Sequence, residues 1–149
     1  MTTKHFEDFA EGFCHEYRVP GLDAEQIKAF AALYDPQRFH LDEEAAAKTH
    51  FGGLVASGFQ TQMLCFVPFC REVLNHSAAV GAPGLDSVRW LRPWYPGEDL
   101  DVRVQLAGRR PSSKRNDRGY LSFQLSADAD GKPTLTMDWT VIMLTRESA

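Results

Sequence analysis

The sequence predicts an α+β fold in which one antiparallel sheet is covered on one face by a single long apolar helix. Three observations carry that expectation. Helical spacing dominates the first half of the chain, and the period drops to two after Pro83-Gly84. A helix-length segment before that change is apolar around nearly its whole circumference, which marks a buried helix. Three segments after it alternate apolar and polar residues with short connections, which marks antiparallel strands with one covered face.

Gly12 to Val19, with Phe13, Tyr17 and Val19, reads as a first strand of imperfect alternation. Asp23-Ala-Glu-Gln26 resembles a capping box and opens a helix whose apolar residues Ile27, Phe30, Ala31 and Tyr34 fall at helical spacing. Pro36 ends it, because the residue before a proline is pushed out of the α region. Asp42 to Lys48, rich in Glu and Ala, reads as a short helix. Phe59 to Leu74 is the buried helix, kinked but not broken at Pro68. Leu85, Val88 and Trp90 mark a strand closed by Pro93 and Pro96-Gly97. Leu100 to Leu106, Leu121 to Ala127 and Leu135 to Met143 then alternate cleanly. A sheet wrapped round one apolar helix is the hotdog architecture, and 149 residues are expected to form it as a single domain over 1–149.

Composition narrows the function classes. An apolar fraction of 44% and a charged fraction of 24% exclude a disordered chain. Sixteen basic against twenty acidic side chains leave a net charge of −4, which argues against a nucleic-acid partner. Cys14, Cys65 and Cys70 are too few and too oddly numbered for a disulfide framework, and none forms a C-x-x-C pair. His5, His15, His50 and His76 lack metal-ligand spacing, so no metal is expected. The first eight residues lack the apolar core of a signal peptide. The longest nearly uncharged stretch, Phe51 to Cys70, carries Ser57, Gln60, Thr61, Gln62 and three glycines, poor material for a membrane span. A reduced, cytoplasmic enzyme or binding protein is the expectation.

Asp35-Pro-Gln-Arg-Phe-His40 is the most informative stretch. It sets a carboxylate and an imidazole five residues apart across a helix end, where the broken backbone lets both reach one pocket. Such a pair can hold a water and move its protons. The plainer reading has Asp35 capping the turn and His40 packing on the sheet. Gly58 stands at the start of the buried helix, where unpaired N–H groups can polarise a carbonyl oxygen and a missing Cβ admits a ligand. Its plainer reading makes Ser57 the N-cap and nothing more.

Two ordered motifs end the anonymity. Asp35…His40-Leu-Asp42, then Ala45 and Ala46, then Phe51-Gly-Gly-Leu-Val-Ala-Ser-Gly58 resembles the hydratase signature of the MaoC-like dehydratases, which include (R)-specific enoyl-CoA hydratases. Ser87 to Leu100, with its Pro93-Trp-Tyr-Pro-Gly-Glu98 turn, resembles that family's second recurring stretch. The resemblance spans Phe6 to Thr145. It implies a hotdog fold, a dimer whose sheets join edge to edge, and an acyl-CoA thioester substrate with no separate cofactor. By motif position it makes Asp35 and His40 the catalytic pair and Gly58 the residue whose amide polarises the thioester carbonyl. The chain departs from the family where many members have Asn-Pro and this one has Gln37-Arg38. Many also have His-Gly where Ser57-Gly58 stands, and the serine some hydratases use further along the helix falls at Phe66.

The expected activity is therefore reversible hydration of an α,β-unsaturated acyl-CoA. A hotdog thioesterase and a non-catalytic acyl-CoA binding subunit are the alternatives. The basic stretch Arg109 to Arg118 reads either as a solvated hairpin tip or as a contact for the phosphates of coenzyme A through Arg109, Arg110 and Lys114. Trp90, Trp94 and Tyr95 read as packing or as the wall of an acyl pocket. A lone sheet of about five strands leaves a long edge exposed, and such edges are usually paired, so a homodimer or a higher even-numbered assembly is expected.

Overall fold

The computed structural model describes residues 2–148. Six strands form one antiparallel sheet: β1 (Cys14–Val19), β2 (Ala79–Gly81), β3 (Leu85–Trp90), β4 (Leu100–Pro111), β5 (Arg118–Ala129) and β6 (Lys132–Leu144). Their order is β1-β4-β5-β6-β2, and β3 also pairs with β6, so β2 and β3 share its outer edge. The fold is the expected hotdog, an α+β sheet curved round the helix α4 (Gly58–Glu72).

The long central strands follow the alternation in the sequence but run further, β5 and β6 at both ends and β4 past Leu106. Every second residue of β5 from Gly119 to Ala129 is buried, and Leu121, Phe123 and Leu125 form the middle of the inner face. β6 supplies Leu135, Met137, Trp139, Val141 and Met143 in register beside them. Asp130 and Gly131, both at positive φ, close the β5–β6 hairpin in two residues, because their backbone twist matches that of the strands. β4 continues through Pro111, so Arg109 and Arg110 lie on a strand opposite Leu121 and Tyr120 rather than in a loop.

α1 (Ala24–Tyr34) starts at the expected capping box, with Asp23 accepting from the Gln26 N–H and Gln26 accepting from the Asp23 N–H. It stops before Pro36, as the proline demands. A one-turn helix α2 (Arg38–Leu41) follows, which the sequence pattern does not announce, and then α3 (Glu43–Ala47), capped by Asp42.

α4 passes through Pro68 unbroken. Pro68 has no N–H for the Leu64 carbonyl, and at the next carbonyl Tyr17 donates its hydroxyl to Cys65 at 2.5 Å. Burial pushes the Tyr17 phenol well above its ordinary value, so it remains a donor. The helix is not apolar-buried all round. Cys65 and Phe69 face the sheet, and Phe69 meets Phe123 and Trp139 edge to face at 5.2 and 5.8 Å. Gln60, Thr61 and Gln62 are buried, while Phe59 and Met63 are exposed. One cluster of apolar side chains joins α4 to β4, β5 and β6. Phe69→Ala removes the ring at its centre and should cost about 3–5 kcal/mol, read as a lower urea midpoint at unchanged slope.

Candidate active site

Asp35 is the C-cap of α1, with its N–H on the Ala31 carbonyl at 2.9 Å and a non-helical backbone that turns the chain. Five residues later His40 sits on α2, 5% exposed. The turn brings them together: His40 Nε2 lies 3.3 Å from Asp35 Oδ2. His40 Nδ1 lies 2.6 Å from the Val55 carbonyl oxygen. A carbonyl only accepts, so Nδ1 carries the proton and donates. The neutral ring therefore turns the lone pair of Nε2 toward Asp35, and the protonated ring turns an N–H toward it.

Asp35 is tightly held. Ser57 Oγ donates to Oδ2 at 2.7 Å, and Gln37 Nε2 donates to Oδ1 at 2.7 Å. Burial raises the carboxyl, but the hydrogen bonds from Ser57 and Gln37 and the neighbouring His40 outweigh it and hold Asp35 below the ordinary carboxylate range. Ser57 does two jobs. Its Oγ also accepts the Phe59 N–H at 3.2 Å, so it caps α4 while it fixes the carboxylate. The capping reading was legible in sequence. The tie to Asp35, 22 residues away, was not, and neither was the role of Gln37.

The segment Leu54 to Ser57 carries these contacts and is fully buried. Its N–H groups at Val55 and Ala56 bond the carbonyls of Phe39 and Trp94, which ties α2 to the turn before β4. That turn is rigid. Arg92 and Glu98 pair through two hydrogen bonds of 2.9 and 2.8 Å, Glu98 also accepts the Tyr95 N–H, and Trp94 donates its indole N–H to the Glu98 carbonyl. Tyr95 OH donates to the Phe51 carbonyl at 2.7 Å.

A cavity of about 600 Å³ opens between these parts, within the usual size of small-molecule sites. Asp35, His40 and Gly58 all line it, so the three residues expected to act together do share one space. Gly58 is the first residue of α4, and its N–H has no acceptor among the described residues. Its missing Cβ has a use that the sequence did not reveal: the Trp90 indole packs directly on it, where any side chain would collide. Trp90 and Tyr95 stand in the cavity wall, and so does the almost fully buried Trp94, which is also packing.

Arg109, Arg110 and Lys114 are not brought to this cavity. They lie toward the end of the sheet where Arg118 pairs with Leu144, whereas the cavity abuts Thr134 at the start of β6. At about 3.3 Å per residue that is roughly 20–30 Å along the strands. Arg109 donates to the Phe9 carbonyl and stacks on Phe6, and Arg110 stacks on Tyr120. Within one chain Arg109 ties β4 to the Phe6–Phe9 segment and Arg110 ties β4 to β5. Among the described residues no helix is long and apolar enough to cross a membrane.

Comparison with known proteins agrees with the geometry. Residues 11–122 match the family model described as "MaoC like domain". The chain belongs to that family. It is 30% identical over 120 residues to the uncharacterized protein YdeM of Bacillus subtilis, covering 80% of this chain and 84% of the relative. Among solved structures it resembles a MaoC-like dehydratase from Rhodospirillum rubrum, at 32% identity and a TM-score of 0.85 over 95% and 97% of the two chains. An (R)-hydratase of A. caviae involved in PHA biosynthesis shares the fold at 21% identity and a TM-score of 0.73, over 91% and 97% of the chains.

Removing the Ser57 hydroxyl should release Asp35. In Ser57→Ala the Asp35 carboxyl should titrate at higher pH than in the wild type, measured by carboxyl-carbon NMR. Because Asp35 is depressed in the folded state, the stability it contributes is present above the ordinary carboxylate value and is lost as pH falls through the folded one. Ser57→Ala should narrow that acid window, and an unchanged Asp35 titration would contradict the assignment.

Proposed function

We propose that the protein reversibly adds water across the α,β double bond of an acyl thioester, with coenzyme A as the carrier. The observation that carries this reading is the Asp35–His40 pair, 3.3 Å apart, in one cavity with the unpaired Gly58 N–H at the start of α4. Membership of the MaoC-like domain family and similarity to a MaoC-like dehydratase support it.

The roles divide by charge. Asp35, held as a carboxylate by Ser57 and Gln37, is a weak base and acts as the fixed anion. His40 Nε2, its tautomer set by Val55, is the group that exchanges the proton. A water in the cavity, hydrogen-bonded to both groups, gives a proton to Nε2 while its oxygen bonds to Cβ. The electron pair of the double bond moves toward the thioester oxygen, which takes a hydrogen bond from the Gly58 N–H. The imidazolium, stabilised by Asp35, then returns the proton to Cα. Atoms and charge balance, and the reverse sequence is dehydration. Coenzyme A is part of the substrate, so the reaction as written consumes no cofactor.

Asp35→Asn and His40→Ala should each lower kcat by about 10²–10⁴-fold on an enoyl-CoA, followed by loss of the conjugated thioester. The double variant should be little worse than either single one, because both groups act on the same water. Melting temperature on the same preparations separates lost chemistry from lost folding. A folded Asp35→Asn protein with wild-type hydration would end the reading. Release of free thiol from a saturated acyl-CoA would replace it with a thioesterase, and binding without turnover would replace it with a binding subunit.

We also propose that the chain works as a homodimer. Among the described residues the outer edge of β3 is unpaired, and Leu85, Trp90, Leu91, Phe59 and Met63 leave a large apolar surface around it. Light scattering should return twice the chain mass, and Leu85→Glu should shift it toward the monomer. A fully active monomer at micromolar concentration would contradict this.

A further inference from the structure

On α4, Gly58, Phe59 and Thr61 line the catalytic cavity, and Gln62, Met63 and Phe66 line a second cavity of about 380 Å³ one turn further along. The facing wall continues in the same sense. Trp90, at the end of β3, borders the first cavity, and Leu85, at its start, borders the second. The two cavities therefore follow one another along α4 and β3. They are divided where the rings of Phe59 and Trp90 meet edge to face at 5.2 Å.

The second stretch is apolar, backed by Met137, Trp139 and Val141 of β6, and Phe66 packs on Trp139 at 5.6 Å. Gln62 breaks the pattern. It is 6% exposed, it borders this groove, and its amide has no hydrogen-bond partner among the described residues. Trp139, 3% exposed in the same wall, has an indole N–H that likewise has no acceptor among them. Neither group is sealed off, because the fully buried side-chain polar atoms without a partner among the described residues belong to His5 and Gln60, so water in the open groove reaches both. A plain alkyl chain filling the groove would displace that water and leave both groups unpaired, which is costly. An oxygen entering the groove on an otherwise apolar ligand satisfies both.

We propose that this groove takes the remote part of the acyl chain, and that Gln62 with Trp139 selects chains carrying a hydroxyl or keto oxygen there. The inference rests on the thioester reading of the catalytic cavity. Gln62 lies four residues from Gly58 and Phe66 lies eight, about 6 and 12 Å along the helix. An extended alkyl chain advances about 1.25 Å per carbon, so the groove receives roughly carbons five to ten counted from the thioester.

The test is calorimetric binding of S-decanoyl pantetheine and its mid-chain and terminal hydroxy derivatives. These are saturated, so no hydration is involved. At least one hydroxylated chain should bind the wild type about five- to tenfold more tightly than the plain chain. Gln62→Met, of similar volume, should bring the two within about twofold. Equal affinities in the wild type would overturn the proposal without requiring any variant to fold. So would a preference that survives Gln62→Met, or no binding of either chain by a protein that hydrates a short enoyl thioester, which would leave the groove to a second copy of the chain. If selective binding is found but no enoyl thioester is hydrated, the groove stands and the catalytic reading fails.

Discussion

Seating α4 in the curved sheet is the constraint on which the rest of the molecule depends. Phe69 packs the helix against Phe123 and Trp139 and Cys65 is buried in the same core, which fixes where the first turn of the helix stands. That turn holds Gly58, with its unpaired N–H, and is preceded by Ser57, whose hydroxyl bridges the helix to Asp35. The position of the carboxylate is therefore referred to the same rigid body as the N–H that faces the cavity. A buried chain of hydrogen bonds of this kind gives a geometry that surface side chains cannot hold, because each member is costly to leave unpaired.

The electrostatics of the pair follow from that chain. Burial alone would make Asp35 harder to ionise. Donors from Ser57 and Gln37 tip Asp35 toward the anion, and the Val55 carbonyl assigns the tautomer of His40. The two groups are thus held by different partners. The departures from the family's motif at positions 37 and 57 fall on the donors to Asp35, while Asp35 and His40 keep the motif's spacing. A change of donor tunes the carboxylate without moving it.

The cleft beside the helix runs from polar to apolar. At the α4 N-terminus it presents titratable groups and an open backbone donor, and one turn later it presents methionine, phenylalanine and tryptophan. Phe59 and Trp90 stand between the two stretches, half exposed, and belong both to the cleft and to the apolar surface around the β3 edge.

Much of the fold was legible because it rests on local periodicity. The central strands, the capping box at Asp23, the stop at Pro36 and the helix through Pro68 follow from residue types a few positions apart. The α2 turn and β2 are too short to leave a period, and the strand ends past Leu106 and before Leu121 are held by pairing rather than by alternation. At the site, the sequence by itself determined that a carboxylate, an imidazole and a glycine at a helix start stand at the spacing of a known family. Only the tertiary structure decided that Ser57 holds the carboxylate, that Gly58 makes room for Trp90, and that the arginines near the β4–β5 turn lie far from the cavity. The physical reason is range. Spacing along the chain fixes which side chains share a turn or a face, but contacts between residues 20 to 80 positions apart depend on how α4 and the sheet pack.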